Sequence, residues 1–119
     1  MKKILIVEDN EKNRLLIKDI LLYYGYEVIE AENGKEGLEQ AKKHLPDLIL
    51  LDIQMPVMDG FTAIKMLKDD PATKNIKIIA LTSFAMKGDR ENIMEAGFDD
   101  YIAKPFDTRK LPEMVKKYV

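Results

Sequence analysis

The sequence predicts an α/β domain in which helices cover both faces of a parallel β-sheet. Strand-like and helix-like segments alternate five times along the 119 residues. Three of the strand segments are nearly continuous apolar runs, which is typical of parallel strands buried on both faces. Alternating strands and helices are joined by right-handed crossovers in such a sheet. A chain of this length has room for one core, so we expect residues 1–119 to form a single domain.

The first strand and helix are bounded by a cap and a glycine. Lys3–Val7 (KILIV) is rich in β-branched and leucine residues, which favours a strand. Asn10 is a good N-cap for the helix that follows, and Gly25 is a typical residue just beyond a helix end. The apolar residues that we assign to this helix are Leu15, Leu16, Ile20 and Tyr23 or Tyr24.

The next three elements are a half-exposed strand, a helix and a buried strand. Tyr26–Ala31 (YEVIEA) alternates apolar and polar residues, which indicates a strand with one wetter face. Asn33 can cap a helix that runs to about Lys43 and ends before Pro46. Asp47–Asp52 (DLILLD) is a continuous apolar strand that ends in an acid.

The second half of the chain repeats the alternation. A helix from Phe61 to about Asp69 is closed by Pro71, and the helix Lys87–Ala96 is stopped by Gly97. The remaining predicted elements are the strands Ile76–Thr82 and Asp100–Lys104 and the helix Thr108–Tyr118.

Polar side chains follow four of the five predicted strands. They are Glu8 and Asp9 after the first strand, Asp52 at the end of the third, Thr82 and Ser83 after the fourth, and Lys104 with Pro105 after the fifth. The carboxyl ends of parallel strands lie at one edge of a sheet, and ligands bind there in open α/β folds. We therefore expect the functional site at this edge.

This set of residues predicts phosphoryl chemistry with a hard metal ion. Clustered carboxylates repel one another and need a cation, and oxygen ligands without histidine or cysteine suit Mg²⁺. A carboxylate beside a metal-bound phosphate can attack phosphorus and form an aspartyl phosphate. Lys104 would neutralise the phosphoryl oxygens, and Thr82 could donate a hydrogen bond to one of them.

Four motifs resemble the receiver domain of two-component response regulators. They are ILIVEDN, DLILLDIQMPVMDG, ALTS and YIAKPF, in the order and at the spacing of that family. The stretch FAMKGDRENIMEAGFDDYIAKPF most resembles single-domain regulators and the receivers of hybrid histidine kinases. The resemblance implies a flavodoxin-like fold with strand order 2-1-3-4-5.

The resemblance also implies a role for each residue at the predicted edge. Asp52 would accept a phosphoryl group from a phosphohistidine donor. Mg²⁺ would be held by Asp9 and Asp52 with the backbone carbonyl of Gln54, and Glu8 would complete the acidic pair of the family. Lys104 would bind the phosphoryl group, and the Lys104–Pro105 bond is expected to be cis. The implied switch residues are Thr82 and Tyr101, and Gly60 would let the chain turn.

The same resemblance implies the partner proteins and the rate at which the phosphoryl group is lost. The donor would be a histidine kinase or a histidine phosphotransfer protein, docking on Asn13, Arg14, Ile17, Pro105 and Phe106. A downstream target protein would bind the face of the fourth helix, fifth strand and fifth helix, through Met86, Arg90 and Tyr101. Gln54 and Phe84 sit where the family tunes the loss of the phosphoryl group, and the bulky Phe84 predicts slow self-hydrolysis. We therefore expect a signalling module and not an enzyme acting on other substrates.

Single residues have plainer interpretations, and two other functions share parts of this pattern but lack a residue type that each of them needs. Asp52 alone could be a turn or helix cap, and Tyr101 could simply be a packing residue. A phosphatase with an aspartate nucleophile would carry a second acid two residues on, where this chain has Gln54, which cannot donate a proton as an acid. A flavodoxin would need a Ser/Thr/Gly-rich phosphate loop after the first strand, where this chain has EDNEKN.

The composition of the chain indicates where in the cell it works and which classes of partner to expect. The net charge of −2 gives no reason to expect direct binding of nucleic acid. The absence of cysteine fits a reducing compartment. The apolar run after the basic N-terminus is too short for a signal peptide, and no run reaches the length of a membrane span. We expect a cytoplasmic protein that does not bind membranes.

Overall fold

The computed structural model describes residues 1–55, 58–83 and 87–119, in which five strands and five helices alternate. The strands are β1 (Lys3–Val7), β2 (Glu27–Ala31), β3 (Leu48–Asp52), β4 (Lys77–Thr82) and β5 (Asp100–Ala103). The helices are α1 (Glu11–Tyr23), α2 (Gly34–His44), α3 (Gly60–Asp69), α4 (Lys87–Glu95) and α5 (Lys110–Tyr118).

The strands form one parallel sheet in the order β2-β1-β3-β4-β5, which confirms the predicted topology. The register aligns the carboxyl ends of the strands. Val7 pairs with Leu51, Asp52 pairs with Leu81, and Thr82 pairs with Ala103. This register brings the polar residues that follow β1, β3, β4 and β5 to one edge of the sheet.

Two hydrophobic cores lie on opposite faces of the sheet, which explains why the central strands are apolar throughout. Along β1, Leu5 and Val7 belong to one core and Ile4 and Ile6 to the other. Successive side chains of a strand point to opposite faces, so a strand covered on both sides has no polar face. Helices α2, α3 and α4 contribute Ala41, Ala63, Ile64, Leu67 and Ile93 to the first core, and α1 and α5 contribute Ile17, Leu21, Leu111 and Val115 to the second.

Both predicted N-caps are confirmed. The side chain of Asn10 accepts a hydrogen bond from the backbone N–H of Asn13 at 3.0 Å, and that of Asn33 accepts one from Glu36 at 2.8 Å. Gly25 and Gly97 follow α1 and α4 with φ of 86° and 107°, a left-handed conformation in which a side chain would be strained. Local sequence therefore sets these helix ends.

The buried face of α1 differs from the apolar residues that we assigned to it. Leu15 and Leu16 are 44% and 39% exposed, whereas Ile17 and Leu21 are fully buried. Apolar residues lie on both sides of this helix, so hydrophobic periodicity could not decide which side meets the sheet.

One further prediction needs correction. The last helix begins at Lys110 rather than Thr108, because the Asp107 carboxylate accepts hydrogen bonds from the N–H groups of Arg109 and Lys110 at 2.8 and 3.4 Å and holds a turn before it. Gly60, which the resemblance placed at a turn, begins α3 and does not have a positive φ. It is needed for close approach, since a Cβ there would lie 2.5 Å from Ile53 Cα.

Across the described ranges, none of the helices combines the length and the apolar character needed to cross a membrane.

Candidate functional site

Three carboxylates meet at the carboxyl edge of the sheet. Glu8 follows β1 and is fully buried, and Asp52 ends β3 with only 1% of its surface exposed. Asp9, next to Glu8, is exposed to solvent. Each of these residues offers a carboxylate oxygen within 4.8 Å of the others. The predicted acidic cluster is thus assembled from residues that are far apart in the sequence.

Lys104 joins two of these carboxylates. Its Nζ donates a hydrogen bond to Asp52 Oδ2 at 2.7 Å and lies 3.1 Å from Glu8 Oε2. The other Asp52 oxygen, Oδ1, accepts a hydrogen bond from the backbone N–H of Gln54 at 2.9 Å. The Lys104–Pro105 peptide bond is cis, in agreement with the prediction. Both oxygens of Asp52 are therefore held in defined positions.

Among the described side chains of this edge, three carboxylates surround one lysine, so acidic groups are in excess. Burial raises the pKa of the Glu8 carboxyl to about 7, and the neighbouring Asp52 adds to this rise while Lys104 opposes it. Burial lowers the pKa of the Lys104 ammonium, but its contacts with Asp52 and Glu8 outweigh burial, so the net direction is upward. Glu8 Oε2 has the nearby charge of Lys104 but no hydrogen bond of acceptable geometry within the described part of the chain.

The donor set fits a hard divalent cation. It consists of carboxylate oxygens, and one of them, Glu8 Oε2, is buried without a hydrogen-bond partner among the described residues. A metal ion or a water bound to it would satisfy this oxygen. Mg²⁺ is coordinated by one or two carboxylates and several waters, so the cluster has enough ligands for it.

The two predicted switch residues lie on the next two strands of the sheet beyond β3, Thr82 on β4 and Tyr101 on β5. Thr82 ends β4, is fully buried, and follows Leu81, which is the register partner of Asp52. Its carbonyl accepts a hydrogen bond from the backbone N–H of Lys104 at 2.8 Å. Tyr101 lies on β5, half-buried against the first core, with the Arg90 guanidinium carbon 5.5 Å from the centre of its ring.

Gln54 links the two loops that flank the site, which the sequence did not reveal. Its side-chain oxygen accepts a hydrogen bond from the backbone N–H of Ser83 at 3.0 Å. The loop after β3 is thereby tied to the loop after β4, beside both Asp52 and Thr82. Phe84 and Met86, which we assigned to the phosphoryl lifetime and to target binding, lie outside the described residues.

Arg14 was assigned to a docking surface, but the structure places it inside the fold. Its side chain is 11% exposed, and its Nη1 donates a hydrogen bond to the backbone carbonyl of Glu8 at 2.9 Å. Ile17, assigned to the same surface, is fully buried, so that part of the prediction is wrong. No pattern in the sequence distinguished a buried Arg14 from an exposed one.

Comparison with known proteins identifies the family. The sequence model of the family described as the response regulator receiver domain matches residues 4–116 of this chain. The polar-differentiation response regulator DivK of Brucella anthropi is 47% identical over 118 residues, which cover 99% of this chain and 96% of that protein.

Solved structures agree with this match. A chemotaxis response regulator of Vibrio cholerae superimposes with a TM-score of 0.94 at 30% identity, covering 100% of this chain and 99% of the other. The receiver domain of a sensor histidine kinase of Pseudomonas aeruginosa, with a magnesium ion coordinated in its active site cleft, has a TM-score of 0.90 at 37% identity and coverage of 98% and 96%. The chain therefore belongs to the response regulator receiver domain family: it is a signalling module of two-component systems, phosphorylated on an aspartate and working with histidine kinases or phosphotransfer proteins.

Proposed function

We propose that Asp52 is the phosphorylated aspartate and that Mg²⁺ binds beside it, held by Glu8, Asp9 and Asp52 with the carbonyl of Gln54. The observation that carries this proposal is the position of the Asp52 carboxylate. It is buried at the end of the central strand, fixed by Lys104 and Gln54, and within 4.8 Å of two further acids. The magnesium-bound neighbour from Pseudomonas supports the choice of metal.

The proposed reaction transfers a phosphoryl group from a histidine nitrogen of the donor to an oxygen of Asp52. The new O–P bond forms as the N–P bond breaks, and the imidazole nitrogen keeps the electron pair of that bond. When bound, Mg²⁺ would neutralise negative charge on the phosphoryl oxygens. The protein contributes mainly position and charge, as in other phosphoryl transfers. The Gln54 N–H holds Asp52 Oδ1, so the carboxylate keeps one orientation throughout the step.

Lys104 has to exchange partners in this reaction. Before transfer its ammonium neutralises Asp52 Oδ2 at 2.7 Å. Once Asp52 carries a phosphoryl group, the negative charge moves outward to the phosphoryl oxygens, and the ammonium follows it. Burial opposes the charged form of Lys104, but its contacts with Asp52 and Glu8 outweigh burial and raise its pKa, which favours the charged ammonium before transfer. We expect the chain to promote its own phosphorylation and dephosphorylation and not to act on other substrates.

The signal would leave the site through Thr82 and Tyr101. A hydrogen bond from the Thr82 hydroxyl to the phosphoryl group would move the end of β4, and Tyr101 on the neighbouring strand would change its packing. The surface formed by α4, β5 and α5, including Arg90 and Tyr101, would then meet the downstream target. Such a switch shifts the balance between two existing states, because phosphorylation stabilises one of them.

Intact mass spectrometry tests the proposal directly. The protein is incubated with acetyl phosphate, with Mg²⁺ or with EDTA, and the natural chain is compared with Asp52→Asn. We expect one added phosphoryl group that requires Mg²⁺ and is absent from the variant. Asp19→Asn, an exposed acid on α1, is the matched control and should be phosphorylated normally. A phosphoryl group retained in Asp52→Asn would contradict the assignment.

A further inference from the structure

We infer that Arg14 positions the metal-binding end of β1, and that it does not serve as a contact for the phosphodonor. This inference rests on the proposed magnesium site. The residue comes from α1, yet its guanidinium reaches across to the ends of two strands. Its three nitrogen atoms each have a separate oxygen partner.

The first contact fixes the backbone of the acidic pair. Arg14 Nη1 donates to the Glu8 carbonyl at 2.9 Å, and the Glu8 N–H donates to the Ala31 carbonyl at 3.1 Å. Glu8 is therefore held on both sides of its backbone. The carbonyl that Arg14 holds belongs to the peptide unit that joins Glu8 to Asp9, so the orientation of this unit sets the direction of the Asp9 side chain.

Asp9 depends on the contact between Arg14 and the Glu8 carbonyl more than Glu8 and Asp52 do. Asp52 is held by two hydrogen bonds, and Glu8 Oε1 accepts one from the N–H of Asn10 at 3.1 Å. Asp9 is exposed, and no group in the described part of the chain hydrogen-bonds its carboxylate. Among the described residues, the backbone is therefore what restrains the Asp9 carboxylate, and Arg14 holds that backbone.

The remaining two contacts anchor the guanidinium and offset its charge. Arg14 Nε lies 3.3 Å from a carboxylate oxygen of Glu30 on β2, and Nη2 lies 3.7 Å from one of Glu32 just after that strand. A lone positive charge near a cation site would weaken cation binding. Two acids on the same guanidinium remove most of that penalty, so an arginine can be used here for its rigid geometry.

The same contacts argue against a docking role. A donor protein could bind Arg14 only by breaking contacts to three oxygens, and only 11% of the side chain is accessible. The next residue on that side of the helix, Ile17, is fully buried. The face of α1 around Arg14 therefore turns toward the sheet.

Isothermal titration calorimetry of the natural protein with Mg²⁺, in the absence of any phosphodonor, tests the inference. Arg14→Lys keeps the charge but cannot make the three-pronged contact. We expect its dissociation constant for Mg²⁺ to rise about tenfold, the lower end of the effect of residues that orient metal ligands. Lys18→Ala is the matched control, because Lys18 also pairs with Glu30, at 3.2 Å, but does not touch the Glu8 carbonyl. Its affinity for Mg²⁺ should change by less than about twofold.

Thermal unfolding without Mg²⁺ separates positioning from folding. The inference requires that Arg14→Lys loses Mg²⁺ affinity while it still unfolds cooperatively. If it does not fold, Glu30→Gln replaces it, since that change removes the negative charge that anchors the guanidinium to β2. We then expect weaker Mg²⁺ binding than in Lys18→Ala, and equal affinity would count against the inference. Wild-type affinity in Arg14→Lys, or tighter binding in Arg14→Met, would overturn the inference and leave the proposed function intact. If the natural protein binds no Mg²⁺ at millimolar concentration, both fail together.

Discussion

The two edges of the sheet use aspartate in opposite ways. At the amino edge, Asp47 accepts a hydrogen bond from the backbone N–H of Lys3, and Asp99 accepts one from Ile78, both at 2.8 Å. At the carboxyl edge, Glu8, Asp9 and Asp52 are crowded together with one lysine between them. Acids at the amino edge meet free N–H groups, whereas strands end in carbonyls at the carboxyl edge, and carbonyls cannot neutralise an acid.

This comparison shows that the same residue type stabilises the fold at one edge and creates a reactive site at the other. The amino edge gains hydrogen bonds to charged acceptors, which are among the stronger ones in proteins. The carboxyl edge carries net negative charge, which a divalent cation can offset. If the two edges differ in this way, substitutions at the carboxyl edge should change the free energy of unfolding more than substitutions at the amino edge.

The largest effect is expected from the lysines of the two edges. Lys104→Met leaves the buried Asp52 and Glu8 without a cation, and we expect the free energy of unfolding at pH 8 without Mg²⁺ to fall by about 3 kcal/mol. Lys77→Met at the amino edge removes an exposed pair with Asp99 at 3.9 Å and should cost less than about 1 kcal/mol. Urea unfolding of both variants measures the difference. Equal losses would mean that Lys104 is an ordinary surface lysine.

The next effect is a pH dependence caused by Glu8. Its pKa of about 7 in the folded protein lies above the ordinary value of 4.5, so the folded state binds a proton more tightly than the unfolded state does. This contribution to stability is complete below pH 4.5 and is lost as the pH rises to about 7. We expect a loss on the order of 2 kcal/mol across that window without Mg²⁺.

Glu8→Gln should flatten this profile, because the amide does not titrate. Saturating Mg²⁺ should flatten it as well, since a bound cation favours the charged form of Glu8. Urea unfolding at several pH values gives the profiles. A natural protein whose stability is constant between pH 4.5 and 7 without Mg²⁺ would show that the acids at this edge do not interact as their positions indicate.

A smaller loss of folding stability is expected for a substitution at the amino edge. Asp99→Ala removes the acceptor for the Ile78 N–H on β4, next to the central strand, and should destabilise the protein by about 1–2 kcal/mol. Asp19→Ala, an exposed acid in the middle of α1, is the control and should change stability by less than about 0.5 kcal/mol. Chemical unfolding measures both. A stable Asp99→Ala variant would remove the structural role that we give to acids at this edge.

The smallest expected effect is a gain, and not a loss, of folding stability. Asp9→Asn removes one of the crowded charges at the carboxyl edge, so the metal-free protein should gain a little stability, below about 1 kcal/mol. The natural protein should be stabilised by added Mg²⁺, because a ligand that binds only the folded state raises its stability. The variant should lose most of this response. Thermal unfolding with Mg²⁺ and with EDTA measures both quantities, and a less stable metal-free variant would contradict the repulsion.

Local features made much of the fold predictable. The caps Asn10 and Asn33 and the terminators Gly25 and Gly97 act within a few residues of their own position, so their effect can be read without knowing the fold. The strand β3 was recognisable because burial on both faces leaves it with apolar residues only. Asp52 and Lys104 were predictable because they stand at strand ends, where a parallel topology brings them to one edge.

Residues whose partners are distant in sequence were not predictable. The hydrogen bond between Gln54 and Ser83 spans 29 residues and depends on the spacing of β3 and β4. Arg14 meets Glu8, Glu30 and Glu32 only because α1 crosses the ends of β1 and β2. A charged residue on a helix gives no sign in the sequence of whether strands lie under it.

The alternation of strands and helices, the helix caps and the residues at the carboxyl edge could all be predicted without a structure, because periodicity, capping and strand ends are local properties. Three features became visible only in the folded structure: which face of α1 is buried, which side chains hold Glu8 and Asp9, and how far the pKa of Glu8 is raised. These depend on desolvation and on contacts between elements, and both exist only once the chain has packed around its sheet.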